Sequence, residues 1–533
     1  MKKLIQLYSF LFIAFVVNAQ DFPFEIKLEA MNIPNLGGLQ SFAHATANHK
    51  FLIIGGRLDG LHRRQPFASF DVAGHNNQLI VIDPTTQQTW KAPLSSLAPS
   101  IAEQLSSTNM QYVQEGDYVY IFGGYGYSAT SANHITYPYV TAIKVSSTIE
   151  AIINNTSFTN YFRQIQDNDF AITGGQLRKV YNKFILIGGQ RFDGRYNPMG
   201  NPTFTQTYVD GYWKFSILDD GNQFQIINKN KITNANLFHR RDYNAVAQIL
   251  PNGQEGITAF SGVFQPQADI PYLNSVTVDS NAYSLNANFS QYYNHYHCAN
   301  IALYDETKNE MHTLFFGGIA QYFDSAGILV QDNSVPFVKT IARVSRNANN
   351  EMFEYKLPNE MPGYLGAGAE FLMNENLSSY NNEVIKLNTI TSDTTELGTI
   401  YGGINSTAKN IFWINDGTQS TASSSLYKVL LVKKINTSVG ELNEQSINNI
   451  QLQLYPNPAQ SEIHLYFNSA TEEKVKIEIY DELGKNIYTK TQKAIIGNND
   501  VTIEHKALQY IGVYYVYLTI QNKRVMQKLL IEE

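Results

Sequence analysis

The sequence predicts an all-β protein, in which a six-bladed β-propeller is followed by a small β-sandwich. Three observations support this prediction. A hydrophobic run that ends in two small residues recurs along most of the chain, and the last part of the chain contains short segments of alternating apolar and polar residues. Aromatic residues, which favour strands, make up 13% of the 533 residues, whereas charged residues make up only 16%. This length is sufficient for two or three domains.

Residues 1–19 have the organisation of a secretory signal peptide. Two lysines form a positive start, residues 4–17 are apolar, and a cleavage site follows at Ala19. The apolar stretch falls short of the ~20 residues that a membrane-spanning helix needs, and an uncleaved N-terminal anchor is the alternative. We therefore expect an exported chain with no transmembrane segment after cleavage.

The recurring unit is a hydrophobic run followed by a pair of small residues. The pairs are Gly55-Gly56, Gly123-Gly124, Gly188-Gly189, Ser261-Gly262, Gly317-Gly318 and Gly402-Gly403. Each interval between pairs can hold four strands with their loops. Glycine permits backbone angles that other residues avoid and lets the chain pass close to a neighbour. A further pair, Gly174-Gly175, is interpreted as the approach to the third unit.

This pattern resembles the kelch family of β-propellers, whose motif is a hydrophobic run, Gly-Gly, a loop, an aromatic residue and a later tryptophan. The chain keeps the glycines well, but tryptophans match only at Trp90 and Trp213. The resemblance covers about residues 22–437 and implies six blades in a domain at 20–437. An array of β-sandwiches with Gly-Gly turns is the alternative, since regularly spaced strands fit both classes.

A propeller must join its last sheet to its first, because both sheets would otherwise expose an edge. The segment FEIKLEAM, Phe24 to Met31, is strand-like and precedes the first repeat. The last repeat ends with LYKVLLVKK, after which no strand is obvious. We therefore predict that the N-terminal segment supplies the outer strand of the last blade.

The C-terminal part is predicted to be a separate domain. Residues 438–450 are polar and form the predicted linker. Residues 451–533 contain strand-like segments such as KVKIEIYD, in which alternation indicates one buried face. The turn-like DELGK lies between two of them. This pattern is typical of a small immunoglobulin-like β-sandwich.

This domain closely resembles the type A sorting domain of the type IX secretion system of Bacteroidetes. The matching residues are, in order, Tyr455-Pro456-Asn457-Pro458-Ala459, Gly484 within IYDELGK, Gly512-Val513-Tyr514 and the finish VMQKLLIEE. The resemblance implies passage through the outer membrane by the type IX machinery, followed by release or attachment. We therefore expect a secreted or outer-membrane surface protein. An immunoglobulin-like appendage with another binding role is the alternative.

Two of the loops that follow the glycine pairs carry the same charged residues. GGRLDG contains Arg57 and Asp59, and GGQRFDG contains Arg191 and Asp193. Loops on one face of a rigid ring are natural binding positions, and an arginine fork beside aspartate acceptors suits sugar hydroxyls or carboxylates. These four residues are predicted ligand-binding residues. The alternative is that each pair is an ion pair that only shapes its loop.

Other candidates lie at the starts of predicted inner strands. HRRDYN places Arg240 and Arg241 where one of them could present its charge to a central channel, the alternative being a solvated rim. In YYNHYHCAN, His295 and His297 would share one face of a strand, as two metal ligands can. Structural histidines are the alternative, and no second histidine cluster accompanies them. We predict no metal and retain His297 as a ligand-binding candidate.

Several functional classes are excluded or disfavoured. The net charge of −7 lacks the basic excess of a nucleic-acid-binding protein, and a single cysteine, Cys298, cannot form an internal disulfide. No convincing nucleophile elbow, zinc-protease motif, P-loop or dinucleotide fingerprint occurs. The sequence therefore predicts no catalytic residue and no cofactor, and it favours a protein that is not an enzyme.

The combined expectation is a monomeric, secreted or surface-displayed binding protein whose loops on one face bind a glycan or a protein. One alternative is a carbohydrate-active enzyme of the oxidase or epimerase type, because galactose oxidase and the sialic acid epimerases use kelch propellers. The other is a purely structural surface protein. Buried histidines and carboxylates at the channel mouth would favour the enzyme, whereas a broad exposed aromatic patch would favour the binding protein.

Overall fold

The structure is a computed structural model that describes residues 22–434 and 452–532. Within these ranges it omits 66, 198, 200–202, 326–327, 458, 460–461, 470, 482–483, 505–507, 509 and 521–522. The chain divides into two units, Met1–Lys434 and Ile435–Glu533. The predicted signal peptide, the predicted linker and Pro458 of the sorting motif lie outside the described residues.

The first unit consists mainly of strands. In chain order they are β1 (Phe24–Met31), β2 (Ala43–Ala47), β3 (Lys50–Ile54), β4 (Gln78–Asp83), β5 (Gln88–Pro93), β6 (Gln111–Glu115), β7 (Tyr118–Phe122), β8 (Tyr125–Ser128), β9 (Asn133–Thr136), β10 (Tyr139–Lys144), β11 (Phe162–Gln166), β12 (Gln176–Val180), β13 (Lys183–Ile187), β14 (Gln190–Gly194), β15 (Phe204–Tyr208), β16 (Gly211–Asp219), β17 (Phe224–Thr233), β18 (Asn244–Ile249), β19 (Glu255–Phe260), β20 (Ser275–Asp279), β21 (Tyr283–Leu285), β22 (Asn300–Asp305), β23 (Glu310–Phe316), β24 (Tyr322–Ser325), β25 (Ile328–Gln331), β26 (Thr340–Arg346), β27 (Met352–Glu360), β28 (Ala369–Met373), β29 (Ile385–Lys386), β30 (Thr394–Gly402), β31 (Ile404–Ser406), β32 (Ser420–Ala422) and β33 (Leu426–Lys433). The helices are α1 (Pro99–Leu105), α2 (Val145–Ile153) and α3 (Ala235–Phe238), with short 3-10 turns at Val72–Gly74, Leu94–Ser96, Thr159–Tyr161, Asn168–Phe170 and Leu387–Thr389.

These strands form six larger sheets, which follow one another along the described chain. Sheet 1 is β2-β3-β4-β5, sheet 2 is β6-β7-β10-β11, sheet 3 is β12-β13-β16-β17, sheet 4 is β18-β19-β20-β21, sheet 5 is β29-β22-β23-β26-β27 and sheet 6 is β28-β30-β33-β1. Small hairpins β8–β9, β14–β15, β24–β25 and β31–β32 extend between the second and third long strands of sheets 2, 3, 5 and 6. The prediction of an all-β protein is confirmed.

The N-terminal strand completes the last sheet. Strand β1 is antiparallel to β33, with Phe24 opposite Lys433 and Met31 opposite Leu426. Its buried Ile26 packs into the apolar cluster between sheets 5 and 6. The prediction that Phe24–Met31 forms the outer strand of the last sheet is confirmed. This pairing covers an edge of β33 that would otherwise be free to pair with another chain.

The repeated pair of small residues joins each sheet to the next. Each pair directly follows, or in sheet 6 overlaps the end of, the second strand of its sheet, and all its residues have φ between +50° and +99°. The second residue donates its N–H to a carbonyl that precedes the first strand of the following sheet, over 2.7 to 3.2 Å. These bonds run from Gly56 to Ser107, Gly124 to Ile172, Gly189 to Arg240, Gly262 to His295, Gly318 to Leu365 and Gly403 to Leu39. The last bond links sheet 6 back to sheet 1.

Apolar clusters fill the space between consecutive sheets. Between sheets 6 and 1, Leu372 and Tyr401 lie in one cluster with Phe51 and Ile53. Corresponding clusters lie between each of the other consecutive pairs. The first strands of sheets 1 to 6 contact one another in chain order. The six sheets therefore form a closed series in which every sheet is buried against two neighbours.

The second unit consists of two packed sheets. Its strands are β34 (Gln453–Tyr455), β35 (Glu462–Ser469), β36 (Glu473–Asp481), β37 (Asn486–Ala494), β38 (Gly497–Glu504), β39 (Gly512–Ile520) and β40 (Lys523–Ile531). One sheet is β34-β35-β38 and the other is β37-β36-β39-β40. Ile463 and Val501 of the first sheet share a core with Ile477 and Val516 of the second.

Residues of the predicted sorting motif have structural roles within this unit. Asn457 donates to Lys528 O over 2.7 Å and accepts from Leu530 N over 2.9 Å, so its amide continues the pairing of β40. Pro456 precedes it in the same bend. Gly484 has φ +78° in the turn before β37, and Gly512 has φ +146° at the start of β39. The hydroxyl of Tyr514 donates to Tyr510 O over 2.8 Å, which fixes the bend before β39.

Candidate ligand-binding cavity

A cavity of about 1070 Å³ lies at the ends of the six sheets where their first strands begin. Its lining includes, for each sheet, a residue that lies one to three positions before the first strand. These residues are Ser41, Asn109, Thr173, Asp242, His297 and Gly368. The volume slightly exceeds the upper end of the roughly 300–1,000 Å³ of ordinary small-molecule sites. Rim residues such as Pro266, Asp269 and Asn333 are exposed, so the cavity is open to solvent on this side.

Aromatic rings form much of the cavity wall. They are Phe70, Tyr125, Phe192, Tyr196, Phe204, Tyr208, Phe264, Tyr296, Phe412 and Trp413. Several are held in fixed orientations, because Phe192 stacks on Phe204 at 4.3 Å and Tyr208 stacks on His239 at 3.7 Å. Trp413 is 67% exposed although it is large and apolar. One side of its ring faces the Arg64 guanidinium at 4.7 Å, so the ring is held in place yet remains accessible.

A buried polar group lies at the floor of the cavity, where His297 borders the cavity and its two partners lie behind it. His297 Nε2 lies 3.1 Å from Glu370 Oε1, and the Tyr112 hydroxyl donates to Glu370 Oε2 over 3.1 Å. These three residues come from sheets 5, 6 and 2. They also line a small space of about 20 Å³ beneath the main cavity, together with Arg178 and Asp242.

The electrostatics of this floor group favour an ion pair. Burial by itself would lower the pKa of His297, but the charge and hydrogen bond of Glu370 outweigh it, so the pKa is raised. Burial would raise the pKa of Glu370, but the charge and hydrogen bond of His297 hold it below its usual range. A protonated imidazole beside a carboxylate can donate to, accept from or exchange a proton with a bound polar ligand.

Arg57 and Asp59 lie together, and Arg57 borders the cavity. Arg57 Nε donates to Asp59 Oδ1 over 2.6 Å, Nη2 donates to Asp59 Oδ2 over 2.5 Å, and Nη2 also bonds Asp71 O over 2.9 Å. Arg57 is only 3% exposed. These bonds orient the loop after β3. The Arg57 Nη1 atom is buried without a hydrogen-bond partner among the described residues.

Arg191 and Asp193 form the equivalent pair on β14, but at another place. Arg191 Nε lies 2.7 Å from Asp193 Oδ2, and the Arg191 side chain is 50% exposed. Neither residue is part of the cavity lining. The two loops therefore share a sequence pattern and the same local Arg–Asp ion pair. The structure does not bring the two pairs into one site.

Arg240 and Arg241 are adjacent in the sequence, but their side chains have different surroundings. Arg240 is fully buried, donates to Leu237 O over 2.5 Å and Asn274 O over 3.0 Å, and lies 4.1 Å from the Tyr272 ring. It lies outside the cavity lining. Arg241 borders the cavity, forms an ion pair with Asp242 and donates to the Tyr208 hydroxyl over 3.1 Å.

His295 and His297 have separate partners. The expectation that they share one strand face is wrong, because β22 begins only at Asn300. His295 is fully buried, accepts from Gln321 N over 3.1 Å and donates to Gln291 O over 2.9 Å. Among the described residues, no group of three or more His, Cys, Asp or Glu side chains is placed to bind a metal ion.

Sequence reasoning missed Glu370, Tyr112 and the aromatic wall. Glu370 is the second residue of β28 and Tyr112 the second residue of β6. His44 has the same position on β2. An alignment of the six repeats on their first strands would have shown ionisable residues at this position in three repeats. In the other three repeats this position holds Leu177, Ala245 and Ile301, which belong to apolar clusters, so the signal is confined to sheets 1, 2 and 6.

Residues 453–532 match the family described as the secretion system C-terminal sorting domain. The second unit is therefore a sorting domain of the type IX secretion system, as predicted. The protein is exported by that system, either to the cell surface or into the medium. No helix among the described residues is long and apolar enough to cross a membrane.

No curated protein is significantly similar to the chain. Among solved structures, YjhT is 12% identical, with 76% of this chain and 98% of that chain covered and a TM-score of 0.40. A Bacillus subtilis family 43 arabinoxylan arabinofuranohydrolase bound to cellotetraose is 10% identical, with 93% and 95% covered and a TM-score of 0.28. PorZ of Porphyromonas gingivalis, an essential surface component of the type IX secretion system, is 9% identical, with 93% and 80% covered and a TM-score of 0.13.

Proposed function

We propose that the first unit is a six-bladed kelch-like β-propeller, spanning residues 20–437 before a linker at 438–450, and that it binds a glycan at one face. The observation that carries the proposal is a cavity of about 1070 Å³ with aromatic walls and a charged floor. The closed series of six sheets, with a repeated hydrogen bond between neighbours, supports the six blades. Export by the sorting domain brings this cavity to extracellular glycans.

The chemistry of the lining suits a sugar better than a protein partner. A pyranose ring has apolar C–H faces and polar hydroxyl edges, so it can stack on an aromatic ring while its hydroxyls meet charged groups. The ring of Trp413 offers such a face, and Arg241, Asp242 and His297 offer donors and acceptors. A protein partner would instead need a surface of about 800 Å² on each side. The concave shape of the cavity favours the smaller ligand.

The predicted binding residues have different proposed roles. Arg241 and His297 bind glycan hydroxyls directly from the floor. Arg57 contributes from the wall, with Asp59 fixing its orientation. Arg240 positions the loop before β18, and we propose that Arg191 and Asp193 shape their hairpin without touching the glycan.

A glycan array probed with the full mature protein tests this proposal, and positive glycans are measured by calorimetry. Trp413→Ala should weaken binding about tenfold or more, equivalent to roughly 1.4 kcal/mol, because it removes the exposed stacking face. The control is Tyr181→Ala, since Tyr181 is 47% exposed in the β12–β13 turn, away from the cavity lining. A folded protein that binds no glycan would reject the proposal and favour a structural surface protein. If Trp413→Ala leaves the glycan affinity unchanged, the binding site lies elsewhere on the protein.

A carbohydrate-active enzyme on the same scaffold is the second candidate function. The buried group of His297, Glu370 and Tyr112 favours it, because a histidine oriented by a carboxylate can transfer protons. Incubation of array-positive glycans with the protein, followed by NMR, would detect a product. Glu370→Gln should abolish product formation, and a glycan that stays unchanged with the natural protein would exclude this activity for that glycan.

A further inference from the structure

A segment of sheet 6 crosses the ends of the first strands that lie opposite to the cavity. Residues 374–393 leave the sheet after β28 and lead back to it at the start of β30. Glu375 accepts from His49 N just after β2 over 2.6 Å, and Asn382 donates to Gln248 O near the end of β18 over 3.3 Å. Strand β29 pairs in parallel with the end of β22. The segment therefore crosses from sheet 6 to sheets 1, 4 and 5 where their first strands end.

The interior between this segment and the cavity is also obstructed. Glu370, Tyr112 and His297 connect sheets 6, 2 and 5 at the cavity floor. The space below them has a volume of only about 20 Å³, which is close to the room needed for a single water molecule. The cavity is thus a blind pit. A polymer cannot pass from it through the centre of the sheets.

A hydrogen-bonded wall surrounds most of the pit. Between sheets 2 and 3, the Thr136 hydroxyl donates to Phe192 O over 2.7 Å. From sheet 2 to sheet 1, His134 Nε2 bonds Phe70 O over 2.9 Å. Between sheets 6 and 1, Asn415 donates to Leu61 O over 2.8 Å. Between sheets 5 and 6, Phe337 N donates to Lys409 O over 2.9 Å.

Sheet 4 contributes a lower rim to this wall. Its second and third strands are joined by residues 261–274, a connection of 14 residues without hairpin strands, whereas the corresponding connection of sheet 1, which also lacks hairpin strands, has the 23 residues 55–77. Gln265 bonds within the segment, to Ile270 O over 3.1 Å and Pro271 O over 2.7 Å. Pro266 and Asp269 are exposed there. The wall is therefore hydrogen-bonded through five sheets, and the shortest connection, that of sheet 4, forms its low side.

From this geometry we propose that the pit binds the end of a glycan chain and that the chain leaves over sheet 4. This inference rests on the proposed glycan-binding function. A chain that lies across the pit would need two low sides, whereas a chain end needs one. The terminal sugar reaches the floor, where His297, Arg241 and Asp242 bind its hydroxyls, and the inner sugars contact Phe264 beside the low rim.

Chain-length dependence tests this inference. The probes are linear cello-, xylo-, manno-, laminari- and maltohexaose, the soluble longer chain of each series, and α-cyclodextrin, which has the linkages of maltohexaose but no end. For end binding, the dissociation constant per mole of chain should be unchanged between hexamer and polymer, since each has one such end. If maltohexaose is the ligand, α-cyclodextrin should not bind. His297→Gln, with its folding checked by thermal melting, should weaken hexamer and polymer alike by tenfold or more.

The outcomes separate the two proposals. A dissociation constant per chain that decreases in proportion to chain length, or equal binding of α-cyclodextrin and maltohexaose, would overturn end binding and leave the glycan-binding function intact. Equal affinity of the natural protein and His297→Gln for every bound probe would also overturn it. No binding by any probe, while the protein is folded, would reject both proposals for these glycans.

Discussion

At the scale of single residues, the small-residue pairs join neighbouring sheets through backbone hydrogen bonds. At Gly123, a Cβ atom would lie 2.0 Å from Ile172 O, a carbonyl that leads into the next sheet. The close approach leaves no room for a side chain and lets Gly124 N reach the same carbonyl at 3.0 Å. At Ser261 a side chain is accommodated, because its hydroxyl donates to Tyr272 O over 2.5 Å. The repeat in the sequence thus reflects a repeated backbone contact.

Gly123→Ala should destabilise the first unit more than Gly116→Ala. Both glycines belong to sheet 2 and have similar φ, +61° and +58°, but a Cβ at Gly116 would meet nothing within 4 Å. Gly116→Ala should cost about 1–2 kcal/mol from backbone strain alone, and Gly123→Ala roughly 1–3 kcal/mol more from the clash. Denaturant unfolding of both variants measures the difference. Equal losses of stability would contradict the role assigned to the close approach.

At the scale of one element, β1 connects the N-terminal end of the chain to its last sheet. The strand pairs with β33 along its whole length, and Asn359 adds a hydrogen bond to Ile26 O over 2.7 Å. Sheet 6 therefore needs a strand that is more than 300 positions distant in sequence from its partners. The pairing makes the whole first unit dependent on its first strand.

Deletion of residues 22–32 should lower the melting temperature strongly, because β33 loses its partner and the cluster between sheets 5 and 6 loses Phe22 and Ile26. A finer pair of variants separates burial from pairing. Ile26→Asp should cost at least about 3 kcal/mol, since Ile26 is 2% exposed. The Lys27 side chain is 52% exposed, so Lys27→Asp should change the free energy of unfolding by only roughly 0.5 kcal/mol. A deletion variant with an unchanged melt would refute this role of β1.

At the scale of the whole molecule, buried histidines make the fold sensitive to acid. Burial lowers the pKa of His44, His62, His75 and His295 to about 4, and that of His312 to about 3. Each would titrate near 6.5 in the unfolded chain, so the unfolded state binds protons first as the pH falls. His297 has a raised pKa and acts in the opposite sense. Its contribution to the free energy of unfolding is present below about pH 6.5 and is lost at higher pH.

Burial raises the pKa of Glu354 to about 8, so this carboxyl opposes the five histidines between about pH 8 and 4.5. Because the histidines are more numerous, the free energy of unfolding should decrease as the pH is lowered from about 6.5 to about 4.5. The fully buried His295 should contribute on the order of 3 kcal/mol to the total change by pH 4. His295→Gln should reduce the slope of stability against pH relative to the natural protein, because it removes a buried imidazole that the unfolded chain can protonate. Denaturant unfolding at several pH values measures both slopes. A slope that is the same in His295→Gln would contradict this account.

Much of the architecture could be predicted from the sequence, because it depends on local patterns. Alternating strands, small-residue pairs and the motifs of the sorting domain are each contained in a few neighbouring residues. The two tryptophans were less informative, since Trp90 lies on the fourth strand of sheet 1 and Trp213 on the third strand of sheet 3. The closing role of β1 could be predicted because a free sheet edge is unfavourable wherever it occurs.

The sequence by itself determined that the chain is all-β, that it ends in a sorting domain and that its first strand pairs with its last sheet. Only the tertiary structure decided which charged residues face the cavity. Arg240 and Arg241 are adjacent and chemically identical, yet one is buried among carbonyls and the other borders the cavity. Glu370, His297 and Tyr112 meet from three different sheets. Strand formation depends on local patterns, whereas such a site depends on the directions in which distant strands bring their side chains together.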